Sequence, residues 1–224
     1  MGVSFPAGTI VRTGAERATL VRRTYSLVFV GVLISIAGAM FALSQPALLN
    51  AVAQHPFITI IAMFAPLFLV MRMQHVFPLN LALVFLFTFV MGVSISPAIY
   101  VYGQQQPGLI TQAALLTIGA FGVLTAYAFI SRRDFSAWRY FFMVGLGVVL
   151  GGIFLNAVFF HNPAADVAIA GVTVLVFSGL LVFDTWRIRN VYGPDDYVAA
   201  AVSIYLDLLN LFMALLRVLG GRRN

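Results

Sequence analysis

Two apolar runs decide the fold, VLVFSGLLVFD at residues 174–184 and SIYLDLLNLFMALL at residues 203–216, and each contains one aspartate. With their flanks, both runs are long enough to enter a bilayer. A carboxylate at membrane depth costs about 2.5–3.5 kcal/mol on insertion scales. An acidic residue in such a place is a functional-site candidate by default, so Asp184 and Asp207 are the first residues to explain.

The composition excludes an ordinary soluble domain. The 224 residues are 62% hydrophobic and 9% charged, whereas soluble domains average about 25% charged residues. The mean hydropathy is +1.00. The net charge of +6 comes from arginines dispersed among short loops and termini. No basic face for nucleic acid is therefore predicted, and the expected surroundings are a lipid bilayer.

The residue types that are missing exclude several kinds of chemistry. All thirteen basic residues are arginine, and without a lysine amine a retinal Schiff base cannot form. The absence of cysteine excludes disulfides, thiolate metal sites and cysteine nucleophiles. His55, His75 and His161 lie near predicted helix ends without metal-site spacing. No cofactor is therefore expected.

Seven segments have the roughly 20 mostly apolar residues that a transmembrane helix needs. They are residues 24–44, 56–72, 79–102, 109–130, 139–160, 166–188 and 197–219. The predicted fold class is an all-α integral membrane protein with seven transmembrane helices. The domain organisation is a cytoplasmic N-terminal arm at 1–23, the transmembrane domain at 24–219 and a C-terminal tail at 220–224.

The arginines alternate between the loops, and this alternation indicates the topology. The arm carries four of them, whereas residues 45–55 and 103–108 contain no Arg, Asp or Glu. Arginines cluster again after the fourth segment and after the sixth. The positive-inside rule then places the N-terminus in the cytoplasm. Arg217, Arg222 and Arg223 conflict with an external C-terminus, so a re-entrant seventh segment stays an alternative to seven spans.

The seventh segment has one narrow polar stripe. Its members follow steps of 4, 3, 4 and 3, which places them on one helix face: Ser203, Asp207, Asn210, Ala214 and Arg217. The rest of the segment is mostly Ile, Leu, Phe, Met and Val, so this helix is predicted to be surrounded by others. Helix–helix hydrogen bonding explains Ser203 and Asn210 without a function, whereas packing rarely requires the charge of Asp207.

A short loop makes the sixth and seventh segments antiparallel neighbours, so both aspartates fall in the same half of the membrane. Asp207 lies roughly 15 Å from the cytoplasmic edge, deeper than Asp184, and they meet only if the sixth helix continues beyond Arg187. Two carboxylates in contact at low dielectric would share a proton, which makes a pH sensor without histidine. A bound calcium ion would also neutralise the negative charges of the two carboxylates. A salt bridge from Asp184 to a nearby arginine is the structural alternative.

Two further features lie on other segments. Arg72 ends the second segment in LFLVMRMQH. It could turn inward and pair with Asp184 or Asp207, or it could extend to the lipid headgroups. Gly147 and Gly151 form a GxxxG spacing in the fifth segment, for which close helix packing is predicted.

The C-terminal motif resembles a known family. Phe183-Asp184-Thr185 and the pattern SxYLDxxNLFxxLLRxxG, from Ser203 to Gly220, are similar to the signature of the Bax inhibitor-1 family, also called transmembrane Bax inhibitor motif proteins. The stretch Arg132-Arg133-Asp134-Phe135-Ser136 also resembles the family's basic–acidic loop. The resemblance extends over essentially the whole hydrophobic region. Because it is to a bacterial member, it implies the bacterial inner membrane.

The resemblance implies both a fold and a function. The C-terminal helix would be central and wrapped by the other six. The protein would be a pH-sensitive calcium leak gated by two hydrogen-bonded aspartates, which match Asp184 and Asp207. Calcium is then the permeant or bound ion, held by the same two residues. The family also has a basic latch on the second helix, for which Arg72 is the matching position.

Three functions stay open at this point. In a leak, deprotonation would favour an open state with a bound cation, and protonation or an Arg72 pair would favour closure. The second function is that of an interaction protein that regulates a membrane protease or a stress response. Some bacterial members of the family are partners of a membrane-bound AAA protease, although several of those lack one or both aspartates. Intramembrane aspartyl proteases also carry one aspartate on each of two consecutive helices. Those enzymes have a GxGD context that Asp207 lacks, so no enzyme is expected.

Overall fold

The computed structural model describes residues 14–221, and these are almost entirely helical. Arg12 of the predicted arm and Arg222 and Arg223 of the predicted tail lie outside the described residues. The helices are α1 (Gly14–Leu43), α2 (Pro46–Gln54), α3 (Pro56–Arg72), α4 (Leu79–Gln105), α5 (Leu109–Ile130), α6 (Trp138–Leu155), α7 (Pro163–Asn190) and α8 (Tyr197–Gly221). A π-helical turn at Asn156–Phe160 extends α6.

The all-α membrane fold predicted from the sequence is confirmed. Among the described residues, six helices are long and apolar enough to cross a membrane. The pair α2 and α3, bent by 97°, is a seventh span if it is counted as one. Each of the seven predicted segments corresponds to one of these spans, and residues 56–72 correspond to α3.

Two prolines determine where α2 and α3 begin. Pro46 and Pro56 occupy the first turn of these helices, where the missing N–H of proline leaves no hydrogen bond unmade. The residue before each proline is excluded from the helical conformation, with φ −121° and ψ 90° at Gln45 and φ −120° and ψ 64° at His55. The sequence analysis did not predict α2, because its nine residues are too few for a membrane span.

The first helix begins at Gly14, before its predicted start at residue 24. Residues 14–23, which were assigned to the arm, form its first turns. This stretch contains Arg17, Arg22 and Arg23, so a prediction from apolar length alone did not include it. α1 therefore carries Arg17, Arg22 and Arg23 on the same helix as a membrane span.

The C-terminal helix α8 occupies the centre of the bundle. In the apolar 18-residue stretch of α8, half of the residues are buried inside the protein. The corresponding share is 17% in α5 and in α6. It packs against α1, α4, α5 and α7, whereas α3 packs mainly on α4, and α6 mainly on α7. The predicted central position is confirmed, and four of the six surrounding spans make its main contacts.

The helices α1 and α4 approach each other backbone to backbone. A side chain at Gly92 would collide with the backbone of Ser35, and one at Gly38 would collide with the backbone of Phe89. The hydroxyl of Ser35 bonds within this contact, 2.9 Å from the carbonyl oxygen of Thr88. Small residues thus allow the close approach that van der Waals packing needs in a membrane.

The predicted packing of Gly147 and Gly151 is not found in the described chain. Both glycines of α6 face open space, with no neighbouring atom near the position of a side chain. Gly145 and Gly152 make the contacts instead, against Val176 and Ile169 of α7. The prediction that Gly147 and Gly151 form the packing face of α6 was therefore wrong. α6 packs mainly on α7, and α7 contacts the opposite side of α6.

Candidate functional site

The two aspartates lie side by side inside the bundle, at the contact of α7 with α8. Asp184 is 8% exposed and Asp207 is 4% exposed. Their side chains lie close enough for the two carboxyl groups to interact electrostatically. The structure thus brings together the two residues that the sequence analysis selected from neighbouring segments.

The difference in depth between the two aspartates is overcome by the length of α7. This helix continues to Asn190, beyond Arg187. Such a continuation was the predicted requirement for Asp184 to reach the depth of Asp207. At 1.5 Å per residue, Asp184 lies roughly 9 Å before the end of α7, and Asp207 lies roughly 15 Å after the start of α8. The connection of residues 191–196 spans the remaining difference.

A hydrogen bond between the two carboxyl groups would require a proton. Two ionised carboxylates have acceptors only, so neither can donate to the other. One proton on either residue supplies the donor and removes one of the two buried charges. The Oδ2 atom of Asp207 is buried and has no hydrogen-bond partner among the described residues, so Asp207 has no donor other than this contact to stabilise a negative charge.

A single arginine compensates the charge of Asp184. Arg187, one turn further along α7, donates from Nη1 to the Oδ1 of Asp184 over 2.9 Å. The guanidinium of Arg187 also lies over the ring of Tyr192, 4.5 Å from its centre. With one shared proton, the group of Asp184, Asp207 and Arg187 is neutral. The salt bridge that the sequence analysis weighed against the aspartate pair therefore coexists with it.

The predicted latch, Arg72, is not part of this arrangement. It ends α3 with an exposed side chain and forms no ion pair with either aspartate within residues 14–221. Arg187, not Arg72, forms the ion pair with Asp184. The spacing of three residues between Asp184 and Arg187 could have identified this pair, because residues i and i+3 share one face wherever a helix continues.

The other members of the polar stripe lie along α8 without joining the pair. Ser203 lies 3.5 Å from the hydroxyl of Tyr192, across the α7–α8 connection. Asn210 donates to the carbonyl oxygen of Leu206 in its own helix, so its side chain makes no helix–helix hydrogen bond in the described chain. Arg217 lies near the far end of α8. Burial raises the pKa of the Tyr192 phenol and the Asp184 carboxylate raises it further, so this hydroxyl stays protonated.

A tyrosine of the central helix lines an apolar cavity. The cavity has a volume of about 420 Å³ and is lined almost entirely by apolar side chains of α1, α4, α5 and α8. Tyr205, one of its lining residues, lies two positions before Asp207 and is hydrogen-bonded to Ser35 over 2.6 Å. This bond ties the central helix to the packed pair α1 and α4.

We expect Tyr205→Phe to lower the stability of the protein without changing the aspartate pair. The substitution removes one buried hydrogen bond of Ser35, and such bonds contribute about 1 kcal/mol. The midpoint of thermal unfolding in detergent should fall by about 2–4 °C. Tyr100→Phe removes the hydroxyl of an exposed tyrosine and should leave the midpoint unchanged. An equal midpoint for wild type and Tyr205→Phe would contradict a stabilising role for this bond.

The pair offers too few ligands for a resident calcium ion. Calcium takes 6–8 oxygen ligands, and no group of three or more metal-binding side chains occurs in the described part of the chain. Two carboxylates can hold a divalent cation only in passing, with water completing its shell.

The comparisons with known proteins cover nearly the whole chain. Residues 17–224 match the family described as "Inhibitor of apoptosis-promoting Bax1". The chain is 32% identical over 215 residues to Bax inhibitor 1 of Schizosaccharomyces pombe, covering 93% of this chain and 78% of that protein. It is 30% identical over 206 residues to Protein lifeguard 4 of Mus musculus, covering 91% and 85%. It is 34% identical over 215 residues to an uncharacterized membrane protein of Vibrio cholerae, covering 93% and 92%.

Proposed function

Since the chain belongs to the Bax inhibitor-1 family, we propose that it is a calcium leak channel whose opening depends on pH through Asp184 and Asp207. The observation that carries this proposal is the burial of two carboxyl groups on α7 and α8, two membrane helices that pack against each other. Helix packing alone does not require two acidic groups inside the membrane, where each carboxylate has a free-energy cost.

The charge balance of the site supports a switch. In the protonated state, Arg187 neutralises the single negative charge of the aspartate pair. Loss of the shared proton adds a second negative charge at low dielectric, where like charges repel strongly. That repulsion favours separation of α7 from α8, or the entry of a cation. Carboxylate oxygens are the ligands that calcium prefers, so the ionised pair would attract it.

The proposed location is the inner membrane of a bacterium, with the N-terminus in the cytoplasm. The similarity to the membrane protein of Vibrio cholerae supports the bacterial origin. The arginines of α1, of the α5–α6 connection and of the end of α7 support the orientation, because all of them lie at the same end of the bundle.

Calcium flux into liposomes tests the proposed function. The flux of the wild type should change between pH 6 and pH 8. The calcium flux of Asp184→Asn and of Asp207→Asn should depend much less on pH, because an amide cannot share a proton with the remaining carboxyl group. Asp134→Asn, at an exposed position in the α5–α6 connection, is the matched control and should behave like the wild type. Measurement of calcium entry with an enclosed indicator at each pH gives the comparison.

An unchanged pH dependence in both amide variants would contradict the proposal. The same would follow if the wild type in liposomes carried no calcium flux at any pH. In either case the pair would be structural, and the regulatory role left open by the sequence analysis would be the better explanation. Equal elution of all variants in size-exclusion chromatography ensures that only folded proteins are compared.

A further inference from the structure

A second site is formed by a groove at the end of the bundle that carries the N-terminus of α1. It lies between α1, the α3–α4 connection, the first turns of α4 and the start of α8, and its volume is about 800 Å³. Its polar lining consists mainly of Arg23, Gln74, His75, Asp195 and Tyr197. We call this the α1–α4 groove. It is distinct from the aspartate pair, which contributes no residue to its lining.

The α1–α4 groove holds two opposite charges that do not neutralise each other. Arg23 and Asp195 both line it, yet they form no ion pair within the described residues. Arg23 instead extends over the ring of Tyr197, with its guanidinium carbon 5.7 Å from the ring centre. Both side chains are exposed. A positive and a negative group thus line one groove, with room between them for a ligand.

The wall of the groove also lacks a hydrogen-bond donor. The side-chain oxygen of Gln74 is buried, and no donor reaches it from any part of residues 14–221. An unsatisfied buried acceptor is uncommon in proteins and calls for an explanation. Because this oxygen is closed off from the groove, the acceptor that faces a ligand there is the carboxylate of Asp195, which lines the groove and is exposed.

The groove opens toward the lipid. Apolar residues of α1, of the α3–α4 connection and of α4 line it together with the polar ones, among them Val30, Phe77 and Phe85. Phe77 is 72% exposed and Val30 is 37% exposed, as expected for side chains that face acyl chains. Arg23 directly precedes the apolar part of α1, so the polar end of the groove lies at the level of the headgroups.

We propose that the α1–α4 groove binds a phospholipid whose headgroup contains both a phosphate and a primary amine. Arg23 binds the phosphate, since guanidinium groups pair well with phosphate oxygens. Asp195 accepts hydrogen bonds from the ammonium group. The acyl chains lie along the apolar residues of α1 and α4. Charge complementarity selects this lipid, because a groove with one positive and one negative group suits a zwitterion better than an anion.

Native mass spectrometry of the delipidated protein in detergent tests the proposal. Phosphatidylethanolamine and phosphatidylglycerol with the same acyl chains are titrated separately. The wild type should bind the first about fivefold more tightly, as one added charge contact at a membrane surface predicts. Asp195→Asn should remove this preference and leave the binding of phosphatidylglycerol equal or stronger. Arg23→Gln should weaken the binding of both lipids.

Two exposed residues outside the groove give matched controls. Asp134→Asn and Arg139→Gln change the same residue types at the same end of the bundle, and both should keep the preference of the wild type. Soluble phosphoethanolamine at a concentration equal to that of the lipid should not displace it, because the acyl chains contribute to binding. The proposal would be overturned by equal affinity of the wild type for the two lipids. Retention of the preference in Asp195→Asn, or displacement by the soluble headgroup, would overturn it as well.

Discussion

Gly92→Ala should strongly destabilise the protein, although alanine is normally the better helix residue. The added methyl group would collide with the backbone of Ser35 in α1. Backbone atoms cannot turn aside as a side chain can, so α1 and α4 must separate along the contact. Overpacking of a tight core typically costs about 1–3 kcal/mol, and we expect the upper end here. The midpoint of thermal unfolding in detergent should fall by about 6–12 °C.

Gly147→Ala provides the control for this experiment. It makes the same chemical change in the middle of another membrane helix, but the added methyl group meets open space. Because alanine favours the helix over glycine by about 1 kcal/mol, this variant should unfold at the wild-type temperature or slightly above it. Similar losses in the two variants would show that the α1–α4 contact is not the reason for the effect.

Arg187→Gln should move the pH dependence of calcium flux to higher pH. The ion pair with Arg187 favours the ionised form of Asp184, so without this arginine the aspartate pair keeps its shared proton longer as the pH rises. An adjacent guanidinium shifts the titration of a carboxyl group by about 1–3 pH units, and the midpoint of the flux profile should move by a similar amount. Flux into liposomes between pH 5 and pH 9 measures it.

Arg72→Gln tests the alternative latch in the same assay. Arg72 is exposed and contacts neither aspartate, so its replacement should leave the flux midpoint where it is in the wild type. If Arg72→Gln moved the midpoint and Arg187→Gln did not, the residue inferred from the family resemblance would be the partner of the pair. The ion pair of Arg187 would then have no part in gating.

The transmembrane spans could be predicted from the sequence, because the length of an apolar run is a local property of the chain. Each run of about 20 apolar residues became a helix, and only the polar start of α1 and the short helix α2 were missed. The central position of α8 also followed from its composition, since a helix that is apolar on all faces except one stripe needs other helices around it.

The partners of individual side chains were harder to predict, because they depend on how each helix is rotated. Gly147 and Gly151 have the right spacing for close packing, but α6 turns Gly145 and Gly152 toward α7 instead. Asp184 and Asp207 were selected correctly as neighbours, because a short loop constrains them. The choice between Arg72 and Arg187 required the structure, since both arginines lie near the same end of the bundle.

The central position of α8 also has a consequence for biosynthesis. The ribosome makes this helix after all the helices that surround it, so α1, α4, α5 and α7 enter the membrane before their common neighbour exists. Until then the space that α8 will fill must be occupied by lipid, by water or by the insertion machinery. Arrival of α8 therefore completes the bundle and delivers Asp207 to Asp184 in one late step.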